Sequence, residues 1–315
     1  MIDLSILIVN WNTRDLVAQC LRSLSDTADR IEEHPHEGGL LAYGPHHAEA
    51  IVVDNASADN SVSTLRENFS WARLIENARN VGFAPANNQA FQQSAGRYVL
   101  LLNSDTISPA GALAALIEFM NEHPRCGAGG AQLLNVDGSL QPSCHPMLTP
   151  WREFWRLIFL EGLVHKANYS SAFWNQAAPQ SVEVIKGACL LLRRAALDEV
   201  GLLDESYFMY TEEVDLCYRL AQADWQLWWV PAAQVIHYGE ASSRQVAQSM
   251  YVQLYRSKIQ FYRKFGGERR AALFKSLLRL AYWPRFGIAA AGASFGRGAT
   301  QVGTYRRLLA ELSRM

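Results

Sequence analysis

What the sequence lacks already narrows its class. No apolar run approaches the roughly 18 residues that a membrane-spanning helix needs. The stretch from Met1 to Val9 has no basic leader and no small-residue cleavage site, so no secretion signal is expected and a cytoplasmic location follows. There are five cysteines, Cys20, Cys126, Cys144, Cys189 and Cys217, with no Cys-x-x-Cys pair among them. An odd number of scattered thiols, in a chain long enough to bury a sizeable core, predicts reduced cysteines in a reducing compartment. With 21 glycines and 11 prolines among 315 residues, a collagenous or disordered chain is excluded. The first apolar run is not followed by Gly-x-Gly-x-x-Gly, which excludes a dinucleotide-binding dehydrogenase.

What is present is an ordinary folded composition, 49% apolar and 19% charged, over a length that predicts two domains or one large one. The net charge of −1 conceals a division. Residues 1–243 hold 15 Lys and Arg against 28 Asp and Glu, whereas residues 244–315 hold 14 against 2. Such a split predicts two parts with different partners: an acidic part that takes a metal or polyanion only at specific sites, and a basic part suited to an anionic surface.

Continuous runs of Ile, Leu and Val at Leu4–Val9, Ile51–Val53 and Tyr98–Leu102 each end in Asn or Asp. They read as strands buried on both faces of a parallel sheet. Helices are expected at Arg14–Leu24, Ser61–Phe69 and Pro85–Ser94, and at Pro109–Glu122 with Ser108 as N-cap and Pro109 at the first helical position. This alternation predicts an open α/β sheet that binds ligands at the carboxyl ends of its strands. Those ends carry Asn10-Trp11-Asn12, Asp54-Asn55 and Asn103-Ser104-Asp105. Residues 32–49, with His34, His36, His46 and His47, read as a loop insertion, either solvated or metal-binding. From Gly138 to Gln180 the regular pattern stops, apart from an aromatic stripe (Trp151, Phe154, Trp155, Ile158, Phe159) that reads as core or pocket wall. It resumes with a strand at Val182–Leu192, a helix at Glu213–Ala223 and a strand at Gln226–Val230 capped by Pro231.

The chemistry-bearing residues form an ordered series. Asp54-Asn55-Ala56-Ser57-Ala58-Asp59 is followed by Asn80-Val81-Gly82-Phe83, Asn87-Asn88, Leu101-Leu102-Asn103-Ser104-Asp105 and Lys186-Gly187-Ala188. Then come Asp204-Glu205-Ser206-Tyr207-Phe208-Met209-Tyr210, Glu212-Glu213-Val214-Asp215-Leu216-Cys217-Tyr218-Arg219-Leu220, and His237. In this order the blocks resemble the family 2 glycosyltransferases, especially the rhamnosyltransferase-like branch, over roughly residues 3–243. The resemblance implies a GT-A fold: an α/β, Rossmann-like nucleotide-binding sheet with an acceptor-side subregion and a helical, basic C-terminal extension. The domain so implied covers 1–243, with a donor half to about residue 135 and an acceptor half over 136–243; the basic region covers 244–315. The implied activity is metal-dependent, inverting transfer of a sugar from a nucleotide-diphosphate donor to a glycan or lipid-linked acceptor, in cell-envelope polysaccharide synthesis.

Asp105 beside Asn103 and Ser104 is a hard-oxygen setting suited to Mg²⁺ or Mn²⁺, with too few ligands unless a diphosphate supplies the rest. The resemblance makes Asn103-Ser104-Asp105 the counterpart of the family's DxD motif, with Asn103 replacing the first Asp and Asp105 left as metal ligand. His237 stands where the family has a further metal contact, although a His after a strand is equally a structural residue. Asn10, Asn12, Asp54, Asn80, Gly82, Asn103 and Ser104 join Asp105 on the donor side, Asp54 as the carboxylate that recognises base or ribose. Glu212-Glu213 matches the family's Glu-Asp pair, so Glu213 corresponds to the base that takes the acceptor's proton, one methylene longer than usual. Glu212 reads also as a helix-start acid, and Asp215 with Arg219 as an i,i+4 ion pair. Lys186, Gly187 and Ala188 match the acceptor side, with Lys186 either a phosphate contact or a solvated lysine.

In residues 269–285, Leu273, Phe274, Leu277, Leu278, Leu280, Ala281 and Trp283 form an apolar stripe flanked by basic residues. This is either an interfacial helix on the inner face of the membrane or a helix packed on the protein. Nucleic acid is not an expected partner, because the aromatics form no evident stacking platform. Rhamnose from a dTDP donor is the first expectation for the sugar. A non-catalytic sugar-binding or membrane scaffold of the same fold stays open through Asn103 and Glu213. A sugar nucleotidyltransferase is disfavoured because Asn10-Trp11-Asn12-Thr13-Arg14 lacks the glycines of a triphosphate-binding loop.

Overall fold

A computed structural model describes residues 2–34, 38–160, 168–239, 243–293 and 299–315. Two compact units result. Met1–His145, Ser170–Phe208 and Glu212–Ser242 form the first; Pro146–Tyr169, Met209–Thr211 and Ser243–Met315 form the second.

The first unit opens with β1 (Leu4–Asn10), α1 (Arg14–Thr27), β2 (Arg30–His34), β3 (Gly38–Tyr43) and β4 (His46–Asp54). It continues with α2 (Ser61–Asn68), β5 (Arg73–Glu76), α3 (Phe83–Gln92), β6 (Tyr98–Asn103), β7 (Thr106–Ile107) and α4 (Ala112–Glu122). Then come β8 (Cys126–Leu134), β9 (Leu140–Gln141) and β10 (Cys144–His145). After α5 (Pro150–Leu157), part of the second unit, it resumes with α6 (Ser171–Trp174), β11 (Gln180–Ser181), β12 (Val184–Ile185), β13 (Cys189–Arg193), α7 (Arg194–Val200), α8 (Glu212–Gln222) and β14 (Gln226–His237).

The main sheet runs β11-β14-β8-β13-β6-β1-β4-β3-β2, with β5 beside β4, β7 beside β14 and β9 beside β8. Strand β1 lies parallel between β4 and β6, whereas β13 is antiparallel to both β6 and β8. Ile6, Ile8, Val52, Leu100 and Leu102 pack with Val17 and Leu21 of α1 and Leu116 and Met120 of α4. Leu7, Val99 and Leu101 gather instead around a small cavity with Phe91 of α3, Leu197 of α7 and Leu216 of α8. Both faces being covered is why these strands carry continuous apolar runs. All five cysteines are buried and free. Burial pushes the thiols of Cys20, Cys126, Cys189 and Cys217 up to about 12, so they serve as small apolar side chains.

Several expectations need correction. Residues 32–49 are not a loop: β2 and β3 form an antiparallel pair and β3 pairs with β4, with His34, His46 and His47 all on strands. His36 lies outside the described residues. Helix α4 starts at Ala112 because Gly111, with φ of 81°, breaks any helical path from Pro109; Ser108 therefore caps nothing, and its buried Oγ has no partner among the described residues. The strand expected at Val182–Leu192 divides into β12, which pairs with β10, and β13, which pairs with β6, leaving Lys186–Ala188 between them. Strand β14 is not stopped by Pro231. Its register against β8 shifts between Val230 and Gln234, where an irregularity needs no N–H from proline.

The second unit, by itself, is helical, with α9 (Ala247–Ala293) and α10 (Ala299–Glu311). Gly267 (φ 70°, ψ 178°) divides α9 into helices over 247–266 and 268–293. Tyr255 and Tyr282 are buried with their hydroxyls 2.7 Å apart, and Glu153 of α5 is buried against Arg156 (2.9 Å) and Lys258. The predicted stripe on 269–285 separates into two faces: Phe274, Leu277, Leu278 and Ala281 are buried, whereas Leu273, Leu280 and Trp283 are exposed. The aromatic stripe on α5 separates likewise. Phe154 is buried, but Trp151 is exposed and Phe159, just past the helix, is 81% exposed, so these two are not core. No helix among the described residues is long and apolar enough to cross a membrane.

Helix α8 is anchored by the ion pair expected from its spacing. Arg219 Nε donates to Asp215 Oδ1 at 2.6 Å, and the remaining guanidinium nitrogens reach the carbonyls of Val200, Gly201 and Leu202 at the end of α7. Asp215 is fully buried. Arg219→Ala leaves that carboxylate without its cation and frees three carbonyls, so a loss of about 3–5 kcal/mol is expected in urea unfolding.

Candidate active site

Three parallel strands end at one level, and polar side chains begin there. Asn10 closes β1 opposite Asp54 at the end of β4, and Val9 lies opposite Asn103 at the end of β6. Asn10 Nδ2 donates to Asp54 Oδ2 (2.9 Å), and the Ser57 amide donates to Asp54 Oδ1 (2.8 Å). Asp54 is thus 1% exposed, with both oxygens engaged inside the protein, where it braces the β1 and β4 ends. Asn12, in the left-handed region at φ 51°, accepts from the Ala58 amide (2.7 Å). Thr13 Oγ1 donates to Asn10 Oδ1 (2.7 Å) and lies 3.0 Å from Ser104 Oγ, tying the first strand end to the third.

Asn55 holds the next segment in place. Its Nδ2 donates to Asn80 Oδ1 (3.0 Å) and the Gly82 carbonyl (3.1 Å), while its Oδ1 accepts from Asn77 Nδ2 and the Val81 amide. Gly82 has φ of 98°, and a Cβ there would lie 2.6 Å from the Phe208 carbonyl oxygen. The same carbonyl accepts from the Phe83 amide at 2.7 Å. Only glycine allows this approach, which fixes the 80–83 turn against the segment leading to α8.

The short β7 pairs antiparallel with the end of β14, His237 opposite Thr106. This brings His237 Nε2 to 3.3 Å from Asp105 Oδ1 and 3.2 Å from Asn103 Nδ2, while Nδ1 lies 2.7 Å from Gln141 Oε1. An oxygen and an imidazole nitrogen so placed are a donor pair that fits Mn²⁺ or Mg²⁺. Among the described residues no group of three or more His, Cys, Asp or Glu could hold an ion by itself.

Lys186–Ala188 crosses near the same strand ends. The Lys186 amide donates to the Ser143 carbonyl (2.9 Å), and the Asn103 amide donates to the Ala188 carbonyl (3.0 Å). A Cβ on Gly187 would lie 3.8 Å from Glu213 Cβ and 3.9 Å from the Phe83 ring, so the chain passes beside the first turn of α8. Tyr210 and Thr211, just before α8, adopt φ of 67° and 75°. Glu213 is half-buried. Glu212 is 5% exposed, and its Oε2 has no hydrogen-bond partner among the described residues. Burial, then the neighbouring Glu213 carboxylate, push the Glu212 carboxyl well above the ordinary range, so it is more than a surface acid at a helix start.

The predicted residues therefore fall into three neighbouring groups: Asn10, Asn12 and Asp54; Asn103, Asp105 and His237; and Gly187 with Glu213. Sequence reasoning missed Thr13, Asn55 and Gln141. The Asp137-Gly138 turn before β9 is a hairpin signal that points to Gln141; nothing in the sequence separates Asn55 from its neighbours.

A family model described as Glycosyl transferase family 2 matches residues 5–201. Among curated relatives, N-acetylglucosaminyl-diphospho-decaprenol L-rhamnosyltransferase of Mycobacterium tuberculosis is 31% identical over 202 residues, covering 60% of this chain and 66% of that protein. This chain thus spans just under two thirds of that relative's length. The low-salt glycan biosynthesis hexosyltransferase Agl10 of Haloferax volcanii is 24% identical over 89% of this chain and 80% of its own. Two solved structures share the fold. A Pyrobaculum calidifontis mannosyltransferase in complex with GDP-Man and Mn²⁺ gives a TM-score of 0.51 at 17% identity, covering 98% of this chain and 84% of its own. GalNAc-T7 with UDP, GalNAc and Mn²⁺ gives 0.54 at 16%, covering 75% and 44%. The fold is the GT-A type that the motif series implied.

Glu212 also generates a pH dependence. Its folded pKa lies above the ordinary 4.5, so the folded state keeps a proton that the unfolded chain has already lost. The associated stability is complete below the ordinary value and is lost as the pH rises through the raised one. Urea unfolding between about pH 4 and pH 9 is expected to show wild type losing stability relative to Glu212→Gln as pH increases. Parallel curves for the two proteins would contradict this.

Proposed function

The chain belongs to glycosyl transferase family 2, and on that premise we propose that it transfers a sugar, rhamnose first among candidates, from a nucleoside-diphosphate donor to a lipid-linked or glycan acceptor with inversion. One juxtaposition supports this above the rest: Gly187 passes beside half-buried Glu213 in the unit whose strand ends bring Asp105 to His237. The mycobacterial relative's name, a rhamnosyltransferase acting on a diphospho-decaprenol sugar, supports the choice of sugar and acceptor.

On the donor side, Asn12 lies at the nucleoside end, braced from within by buried Asn10 and Asp54, Asn80 and Gly82 form the wall fixed by Asn55, and Asn103 and Ser104 flank the diphosphate. Asp105 and His237 hold the cation. When bound, Mg²⁺ or Mn²⁺ supplies neutralisation of the negative charge on the departing diphosphate. On the acceptor side, Lys186, Gly187 and Ala188 line the approach of the hydroxyl to Glu213. Glu213 takes the hydroxyl proton as the acceptor oxygen bonds to the anomeric carbon; the bond from that carbon to the diphosphate oxygen breaks, and its electron pair leaves with the nucleoside diphosphate. Burial and the neighbouring Glu213 carboxylate push the Glu212 carboxyl up, which disfavours a second charge beside Glu213.

The second unit supports contact with a membrane that carries such an acceptor. Residues 269–293 contain Arg269, Arg270, Lys275, Arg279 and Arg285 and no Asp or Glu. Beside these cations Leu280 (62%), Trp283 (58%) and Ile288 (74%) are exposed. Arg285 also stacks 4.7 Å from the exposed Phe159 ring. Apolar and aromatic side chains among basic ones suit the interface of an anionic leaflet, where each cation contributes about 1 kcal/mol.

Calorimetric titration with dTDP, UDP and GDP, each with Mn²⁺ or with EDTA, is expected to give metal-dependent binding of one nucleotide. In Glu213→Gln that binding stays and turnover falls at least ~100-fold; near-normal turnover would remove Glu213 from the role of base. In flotation with vesicles containing phosphatidylglycerol at low salt, the protein is expected to bind. Leu280→Ser with Trp283→Ser should weaken binding at least ~10-fold, since each side chain buries about 1.5–3 kcal/mol of apolar surface.

A further inference from the structure

Asn135 to Gln141 form a tight hairpin between β8 and β9, with Gly138 at φ 81°. Its side chains make a chain of hydrogen bonds whose direction can be worked out from one end. The Asp137 carboxylate can only accept, and it takes the Ser139 hydroxyl proton at 2.6 Å. Hydrogen bonds from the Ser139 side chain and backbone hold the Asp137 carboxyl below its ordinary range, which keeps it an acceptor at neutral pH. With its proton so committed, Ser139 Oγ accepts from Asn135 Nδ2 at 2.9 Å. Asn135 Oδ1 is then turned towards Gln141 and accepts from its Nε2 at 2.9 Å. The same Nε2 donates to the His237 carbonyl at 3.2 Å, a second anchor that also requires the amide nitrogen on this side. Gln141 Oε1 is left facing His237 Nδ1 at 2.7 Å, and an amide oxygen there demands an N–H. Reversing Gln141 would set its oxygen against both the Asn135 oxygen and the His237 carbonyl.

We propose that Gln141 is a positioning residue that fixes His237 as the Nδ1–H tautomer and so keeps the Nε2 lone pair directed at Asp105, where a divalent cation is bound. The inference rests on the metal role proposed above for Asp105 and His237. Nε2 in this form accepts from Asn103 Nδ2 at 3.2 Å and faces Asp105 Oδ1 at 3.3 Å, two acceptors that repel until a cation lies between them. An orienting acceptor on the far nitrogen of a metal-binding imidazole sets its tautomer and raises its basicity.

The test uses the full chain, labelled with ¹⁵N. Long-range ¹H–¹⁵N spectra of the imidazole rings at about pH 8 report each tautomer, with His237 assigned by its disappearance in His237→Gln. The Nδ1–H form is expected in wild type. In Gln141→Leu a shift towards the Nε2–H form is expected. In parallel, free Mn²⁺ is followed by electron paramagnetic resonance, with and without dTDP. Gln141→Leu should bind Mn²⁺ about 10- to 100-fold more weakly than wild type. If Gln141→Leu keeps the wild-type tautomer or the wild-type Mn²⁺ affinity while Asp105→Asn loses the metal, the positioning role is overturned and the metal site stands. An Nε2–H or doubly protonated His237 in wild type overturns it as well. If Asp105→Asn and His237→Gln both bind Mn²⁺ as wild type does, the metal reading fails and the proposal falls with it.

Discussion

Strand β1 lies in parallel register between β4 and β6, Asn10 opposite Asp54 and Val9 opposite Asn103. Helices cover both faces of these strands, and a cluster of polar side chains begins at their carboxyl ends. Fixing that register fixes where every donor-side group begins: Asn10 and Asp54 interlock, Thr13 reaches Ser104, and Asp105 follows one turn beyond β6. A slip of one residue would turn Ile6 and Ile8 off the face packed on α1 and α4 and would pull Asn10 away from Asp54. The same apolar packing that stabilises the sheet therefore sets the geometry of the site, with no separate device needed.

The other half of the site reaches these strand ends by antiparallel pairings. Strand β13 lies against β6 and hands Lys186–Ala188 to Asn103, while β7 draws the end of β14 and its His237 to Asp105. Helix α8 is held from behind by Arg219, which joins a buried carboxylate to three carbonyls at the end of α7. Its first turn presents two adjacent acids in unlike settings. Glu212 is buried, with its carboxyl pushed well above the ordinary range, and Glu213 lies half-buried beside Gly187.

How much of this could be read in the sequence depended on how local the cause was. The central strands were legible because burial on both faces leaves continuous runs such as Leu4–Val9. Asp215 and Arg219 were legible because helical spacing alone brings them together. The break at Lys186–Ala188 was not, because Val182–Leu192 has the composition of one strand and only the partners of each half divide it. Residues 32–49 looked like a loop because of their histidines and glutamates, yet Leu41 and Tyr43 supply an apolar side sufficient to extend the sheet. Gln141 was hidden in a stretch without periodicity, since its role comes from a hairpin meeting a strand end almost a hundred residues later. The stripe in 269–285 misled in another way: the helix is apolar on both its buried and its exposed face, and periodicity cannot say which is which.

The placement of β2 at one end of the sheet order has a consequence for life at high concentration. A terminal strand offers backbone N–H and carbonyl groups to any other extended chain, and long apolar edges recruit one another into aggregates. This edge reads Arg30-Ile31-Glu32-Glu33-His34, five residues with four ionisable side chains. An antiparallel pairing with a second molecule centred on Glu32 would set that carboxylate against its own copy. A short, charged rim disfavours such growth of the sheet, and replacing Glu32 with an apolar residue would weaken that guard.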